Sequence, residues 1–152
     1  MLVKASLSAA LKGIFNERLR EVGEAADRIA KAYEDYARMG QSPSGAPVVI
    51  RGLEKLQLSM SLSLLMKSRY PSIEAAQQVA MGVTGFWLTP PVITLTGGVC
   101  SGILTGPGVS ALIYTRASSI DDAADSMANA LHMMTKSVFF AEVPPLVSGV
   151  IL

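Results

Sequence analysis

The uncharged stretch FWLTPPVITLTGGVCSGILTGPG, from Phe86 to Gly108, decides how the rest of this sequence is interpreted. It lies inside residues 75–115, which contain no Asp, Glu, Lys or Arg although these types make up 16% of the chain. Such a run crosses a bilayer, fills the core of a domain, or is covered by neighbouring copies of the same protein. The three possibilities imply three different functions.

The membrane possibility rests on residues 92–114, which are all uncharged and include three glycines in a GxxxGxxxG spacing that suits helix pairing in lipid. Three features oppose it. Pro90 and Pro91 separate the run from the preceding helix, and the Gly-Pro-Gly at 106–108 breaks it internally. The flanks also lack the Lys and Arg clusters that orient a membrane span. We therefore expect core or interface, and a small integral membrane protein using 92–114 is the alternative.

The charged residues are concentrated at the other end of the chain. Residues 1–38 contain 13 of the 25 charged side chains, with acids placed four residues before bases in the pairs Glu24–Arg28, Asp27–Lys31 and Glu34–Arg38. Apolar residues recur at intervals of four and three, which predicts one long amphipathic helix over 1–38. They are Phe15, Leu19, Val22, Ala26, Ile29, Tyr33 and Tyr36.

The remaining segments follow from periodicity and from breakers. We predict a loop at 40–47, an edge strand at Val48–Ile50, helices at 53–69, 72–88 and 119–138, strands or loops at 89–118, and an apolar tail at 139–152. The helix at 53–69 is predicted from its apolar stripe, Leu53, Leu56, Met60 and Leu64. Ser72 is the expected N-cap of the helix at 72–88, and Ser119 is the expected N-cap of the helix at 119–138. The prediction is one domain, 1–152, mostly α with a minor β or irregular part (α+β), arranged as a helical bundle with Gly/Pro-rich extended segments.

Composition argues against several classes of function. A net charge of +1 gives no electrostatic footprint for nucleic acid. The single cysteine, Cys100, cannot form an internal disulfide, which suits synthesis in a reducing cytoplasm. The N-terminal residues lead into a charged helix without a cleavage site, so we do not expect a signal peptide. His132 is the only histidine and has no catalytic motif around it, and Asp121, Asp122 and Asp125 suit a helix start better than a metal site. We expect no enzymatic activity, no metal and no cofactor.

Apolar surface in excess of what one small domain hides predicts self-association. Phe86 and Trp87 are equally well explained as core residues or as interface anchors, because aromatic side chains dominate both kinds of packing. The candidate interface consists of aromatic, Gly/Pro-rich and C-terminal residues: Phe86, Trp87, Gly106, Pro107, Gly108, Leu146, Val147, Val150, Ile151 and Leu152.

The order of these features also resembles a known class of protein. A helical front half precedes a Gly-rich segment after Phe86-Trp87, the Gly106-Pro107-Gly108 turn, the alanine-rich AADSMANALH at 123–132 and a Val/Pro-rich tail. This order resembles small structural proteins of tailed-bacteriophage tails and baseplates. The resemblance implies a non-enzymatic virion component of tail, baseplate or neck, made in the bacterial host cytoplasm. Its partners would be copies of itself and other virion structural proteins.

Overall fold

The computed structural model describes residues 2–17, 19–67, 72–103, 108–109, 117–141 and 149–151. Its architecture is α+β, as the sequence predicts: helices form most of it and a small antiparallel sheet forms the rest. The helices are α1 (Lys4–Asn16), α2 (Val22–Ala37), α3 (Glu54–Lys67), α4 (Ser72–Leu88) and α5 (Ile120–Lys136). The strands are β1 (Val48–Val49), β2 (Ile93–Thr94), β3 (Val99–Ile103), β4 (Val138–Ala141) and β5 (Gly149–Val150).

The prediction of one helix over 1–38 is wrong, because the chain leaves the helical conformation between Asn16 and Val22. Glu17 and Glu21 are both extended there, with ψ of 139° each. A straight helix of that length would measure about 57 Å, too long for the core of a domain this size to cover. The break lets α1 fold back onto α5, where Leu7 and Leu11 are buried.

Helix α2 carries the predicted apolar stripe, of which Ile29 and Tyr33 are buried, and it packs on α3. Of the three predicted ion pairs, Glu24–Arg28 and Glu34–Arg38 form. Lys31 instead pairs with Glu34 and Asp35, while Asp27 reaches across to Lys55 of α3. One of the predicted local pairs is therefore replaced by a bridge between two helices.

The strands pair in chain order, so that β1 lies at one edge as predicted and the C-terminal β5 at the other. Gly97 has φ +89° in the turn between β2 and β3, a conformation that favours glycine, and its N–H donates to the carbonyl of Thr94. β3 pairs with β4 with Cys100 opposite Phe140, and the register shifts between Cys100 and Gly102. The described part of 92–114 therefore forms strands with a helical turn at 108–109, and in the described residues no helix is long and apolar enough to cross a membrane.

Helix α5 begins where the sequence predicts, with the hydroxyl of Ser119 accepting the backbone N–H of Asp122 at 3.1 Å. It ends two residues before the predicted Val138, because Val138 begins β4 and is fully buried. The predicted boundaries of the two middle helices agree closely with α3 and α4, although Ser72 is the first residue of α4 rather than its preceding cap.

Candidate interaction surface

Phe86 and Trp87, the aromatic members of the predicted interface, lie in the chain's own core, where both are 0% exposed. Phe86 packs edge-on against Tyr33 with ring centroids 5.0 Å apart, and Trp87 packs edge-on against Phe140 at 6.1 Å. Of the two alternatives that the sequence left open, the core position is the one observed. An interface cannot use side chains that no solvent reaches, so their role as anchors is ruled out in this fold.

A chain of hydrogen bonds explains how the polar ends of these aromatic residues are accommodated in the core. The indole N–H of Trp87 donates to the hydroxyl of Tyr33 at 2.8 Å. The hydroxyl of Thr135 donates to the carbonyl of Leu131, so the remaining bond between Tyr33 and Thr135, 2.8 Å long, has Tyr33 as donor. Burial raises the pKa of Tyr33 to about 12. Helices α2, α4 and α5 are thus joined through one satisfied polar network.

The other described members of the predicted interface make contacts within their own chain. Gly108 is buried against α5, where an added Cβ would lie 2.2 Å from Cγ of Met134. Ile151 is fully buried, its N–H donates to the carbonyl of Val138, and Val150 lies in β5 opposite Phe139. Ile151 is therefore a core residue of its own chain and not an interface residue in this fold. Gly106, Pro107, Leu146, Val147 and Leu152 lie outside the described residues.

His132 lies at the rim of the core and has a structural partner. Its Nδ1 is hydrogen-bonded to the hydroxyl of Tyr36, and the two rings pack edge-on. Burial, and then the positive charges of Lys136 and Lys4, lower the pKa of His132. The lowered pKa favours the neutral ring, in which Nδ1 can accept a hydrogen bond from the Tyr36 hydroxyl.

Asp122 and Asp125, near the start of α5, are each engaged in a contact with another side chain. Ser118 donates both its N–H and its hydroxyl to Asp122, and these bonds lower the pKa of that carboxyl. Asp125 accepts the hydroxyl of Ser8 and pairs with Lys12 at 3.0 Å, which ties α5 to α1 and lowers the pKa of Asp125. Within the described ranges, no three His, Cys, Asp or Glu side chains are arranged to hold a metal ion.

The surface that sequence analysis did not identify is the outer face of α3. Its stripe of large aliphatic side chains, which defined the predicted helix, points to solvent instead of to the core. We call it the α3 ridge, and its members are Leu53 (60% exposed), Leu56 (50%), Met60 (63%) and Leu64 (54%). The stripe of an amphipathic helix ordinarily faces the core, so an exposed stripe of this kind indicates a contact surface.

Close packing on the opposite faces of α3 holds the ridge outward. Leu58 and Leu62 fill the core, and Gln57 and Ser61 lie against α4 at two glycines. An added Cβ at Gly82 would lie 2.8 Å from Cβ of Ser61, and one at Gly85 would lie 2.9 Å from Cβ of Gln57. Rotating α3 to bury the ridge would remove two buried leucines and this glycine-mediated contact.

The N-terminus of α3 is fixed by a buried acid. Glu54 is fully buried and accepts hydrogen bonds from the backbone N–H and from Nε of Arg51, while Nη2 of Arg51 donates to the carbonyl of Pro91. Burial raises the pKa of Glu54, but hydrogen bonds from its own backbone and from Arg51 outweigh that effect and lower it overall. The start of α3 is therefore attached to the segment that leads into the sheet.

A second feature of the surface is an open groove of about 480 Å³ along α4, which we call the α4 groove. Its lining is mostly apolar and consists, among the described residues, of Gln77, Ala80, Met81, Thr84 and Val109. Met81 is 64% exposed, so the groove presents an accessible apolar wall. The hydroxyl of Thr84 donates to the carbonyl of Ala80 and is thereby satisfied within the helix.

Comparisons with known proteins give no relatives. No protein-family model, curated protein or solved structure matches this chain.

Proposed function

We propose that this protein is a non-enzymatic structural component that assembles in several copies as a ring, within the virion of a tailed bacteriophage. The observation that carries the assembly is the α3 ridge, four large aliphatic side chains that are each at least half exposed and are held outward by the packing of α3 on α4. The four side chains expose on the order of 400 Å² of apolar surface, a size at which the largest apolar patch of a soluble protein is often functional.

The area of this patch indicates how strongly two copies can associate through it. A pair that buries two such patches, about 800 Å² of apolar surface, gains about 20 kcal/mol before costs. The loss of translational and rotational freedom opposes association by roughly 4–15 kcal/mol. Specific, stable interfaces bury at least about 1,200 Å² in total, so the ridge alone supports at most a weak pair, and a stable assembly requires each copy to contribute a second surface. A ring supplies this because every copy uses two different surfaces at once.

The placement in a tailed-phage virion rests on the resemblance in the order of segments, from the helical front half to the Val/Pro-rich tail. In this role the protein would be made in the bacterial host cytoplasm and would contact copies of itself and other structural proteins of the tail, baseplate or neck. A scaffold of this kind needs rigid contacts rather than a reactive cleft, which agrees with the engaged state of His132 and of Asp122 and Asp125.

Negative-stain microscopy of the purified full-length protein tests the assembly. We expect closed rings with a uniform number of subunits, and single globular particles at every concentration would contradict the proposal. Mass spectrometry of purified phage particles that carry this gene tests the placement. We expect the protein at a fixed stoichiometry relative to the other tail proteins, and its absence from intact particles would exclude a virion role.

A further inference from the structure

We propose that Met60 is a modification site that controls self-association: peroxide oxidises its thioether to the sulfoxide in the free chain, and the sulfoxide weakens assembly. This inference rests on the proposed function and deepens it, because it adds a form of regulation to the α3 ridge. The observation that carries it is one sulfur atom placed at the most exposed position of an otherwise hydrocarbon surface.

Met60 is one of the two most accessible methionines in the part of the chain that the structure describes. Its exposed fraction is 63%, and that of Met81 on α4 is 64%. Met39 and Met66 are each less than 40% exposed, and Met134 is fully buried. Because oxidation of methionine depends on access of the oxidant to sulfur, Met60 and Met81 should react first and at similar rates in the monomer.

The oxidation requires only the thioether of Met60 and hydrogen peroxide. A lone pair of the sulfur attacks one peroxide oxygen, and the O–O bond breaks as the S–O bond forms. The proton of the transferred oxygen passes to the departing hydroxide, which leaves as water. Sulfur loses two electrons and the peroxide gains them. The product is a side chain of nearly the same length that carries a polar S=O group.

The surroundings of Met60 on the α3 ridge give the sulfoxide no partner. Leu56 and Leu64 lie one helical turn before and after it, and none of the four ridge side chains carries a hydrogen-bond donor. Residues 56–66 contain no charged side chain. A contact that buries the ridge must therefore strip water from the S=O group. The oxidised chain should for this reason associate at least about tenfold more weakly than the unmodified chain.

Cys100, whose thiol peroxide can also attack, does not compete with Met60. It is 3% exposed, and burial raises the pKa of its thiol to about 11, so little of the reactive thiolate is present at neutral pH. Peroxide should therefore change the association of the protein through methionine and not through cysteine.

Two conservative variants separate the effect of Met60 from that of Met81. Met60→Leu keeps an apolar side chain on the ridge and removes its sulfur, and Met81→Leu does the same on α4. Each protein is treated with hydrogen peroxide while it is too dilute to assemble, is freed of peroxide, and is followed by sedimentation velocity as its concentration is raised. Oxidised wild type and oxidised Met81→Leu should need at least about tenfold higher concentration to assemble, whereas oxidised Met60→Leu should assemble as the untreated protein does. Met60→Asp, which places a permanent charge at the same position, should remain monomeric without peroxide.

Protection and reversal give two further readouts. Mass spectrometry of its peptide should show that Met60 is oxidised more slowly in the assembled protein than in the dilute monomer, and methionine sulfoxide reductases should restore assembly of the oxidised wild type. Normal assembly of wild type oxidised at Met60, or loss of assembly when Met60→Leu is oxidised, would overturn the role of Met60 while leaving ridge assembly standing. An untreated wild type that is monomeric at every concentration would instead overturn the proposed function itself.

Discussion

The hydroxyl of Tyr33 lies at the centre of the core's polar network. It accepts the indole N–H of Trp87 and donates to Thr135, so both hydrogen-bonding roles of a fully buried phenol are satisfied. A buried donor without an acceptor costs free energy comparable to a lost hydrogen bond, which makes the network sensitive to single substitutions. The same bonds explain why Trp87 is accommodated in the core rather than at an interface.

Thr135→Val is expected to lower the free energy of unfolding by about 1–3 kcal/mol, because it leaves the O–H of Tyr33 without an acceptor while preserving side-chain volume. Thr84→Val is the matched control, because the hydroxyl of Thr84 bonds only to a carbonyl of its own helix and the residue is partly exposed. Its free energy of unfolding should change by no more than about 0.5 kcal/mol. Urea denaturation of both variants in the Met60→Asp background, where assembly does not contribute, measures the difference. Equal effects of the two substitutions would contradict the network.

His132 provides a test of pH dependence. Its folded-state pKa lies below the ordinary value of 6.5, through burial and then through Lys136 and Lys4, so the unfolded chain binds more protons in that range. Stability should therefore be full above the unfolded pKa and fall as the pH drops through the folded pKa. Thermal unfolding between about pH 7.5 and 5 should show this slope, and His132→Gln should reduce it. Wild type and variant with the same slope would refute the assignment.

At the scale of the elements, two glycines of α4 allow α3 and α4 to pack closely. Gly82 and Gly85 weaken α4 as an isolated helix, yet each admits a side chain of α3 to a distance that a Cβ would block. The glycines lower the helix propensity of α4, and the close packing that they allow between the two helices offsets this cost. This contact also determines which face of α3 remains outside.

Gly82→Ala is expected to destabilise the fold by about 1–3 kcal/mol, because the new Cβ would lie 2.8 Å from Cβ of Ser61 and the helices would have to separate. Gly13→Ala in α1 meets no atom within 4 Å and should stabilise the protein by up to about 1 kcal/mol through helix propensity. Chemical denaturation compares the two. Stabilisation by both substitutions would show that α3 and α4 are not in close contact.

Ile151→Ala is expected to lower the free energy of unfolding by about 2–5 kcal/mol, since Ile151 is fully buried and its side chain packs at Gly40. Ile120→Ala, at a position that is 49% exposed, should cost far less. Circular dichroism during thermal denaturation gives both values. If Ile151→Ala instead left stability unchanged and abolished only assembly, the tail would be an interface element after all.

The elements differ in how far the sequence predicts them, for physical reasons. Helix α5 has one apolar stripe and a capping serine, so its start and its buried face were both predictable. Helix α3 alternates leucine and methionine with serine, which places apolar residues on two faces, and periodicity alone cannot tell which one is buried. The break after α1 contains neither proline nor glycine, and it arises from packing on α5 rather than from a local signal.

At the scale of the whole molecule, the uncharged run that raised the original question is divided between the inside and the surface. Several of its described residues, including Phe86, Val92 and Cys100, are buried in the chain's own core. Other residues of the run, such as Met81 and Leu95, are exposed, while the α3 ridge lies outside the run, on a helix where the sequence did not indicate an interface. Self-association remains a proposal, and it rests on the α3 ridge instead of on Phe86 and Trp87.

Sedimentation velocity over a wide range of concentration tests self-assembly through the α3 ridge most directly. The account predicts that the wild-type protein shifts to a faster-sedimenting species as concentration rises. Met60→Asp should remain a monomer with unchanged circular dichroism, and Leu95→Asp, which alters an even more exposed apolar residue in the turn after β2, should behave as the wild type. A wild type that sediments as a monomer throughout, or a Met60→Asp variant that assembles like it, would contradict the account.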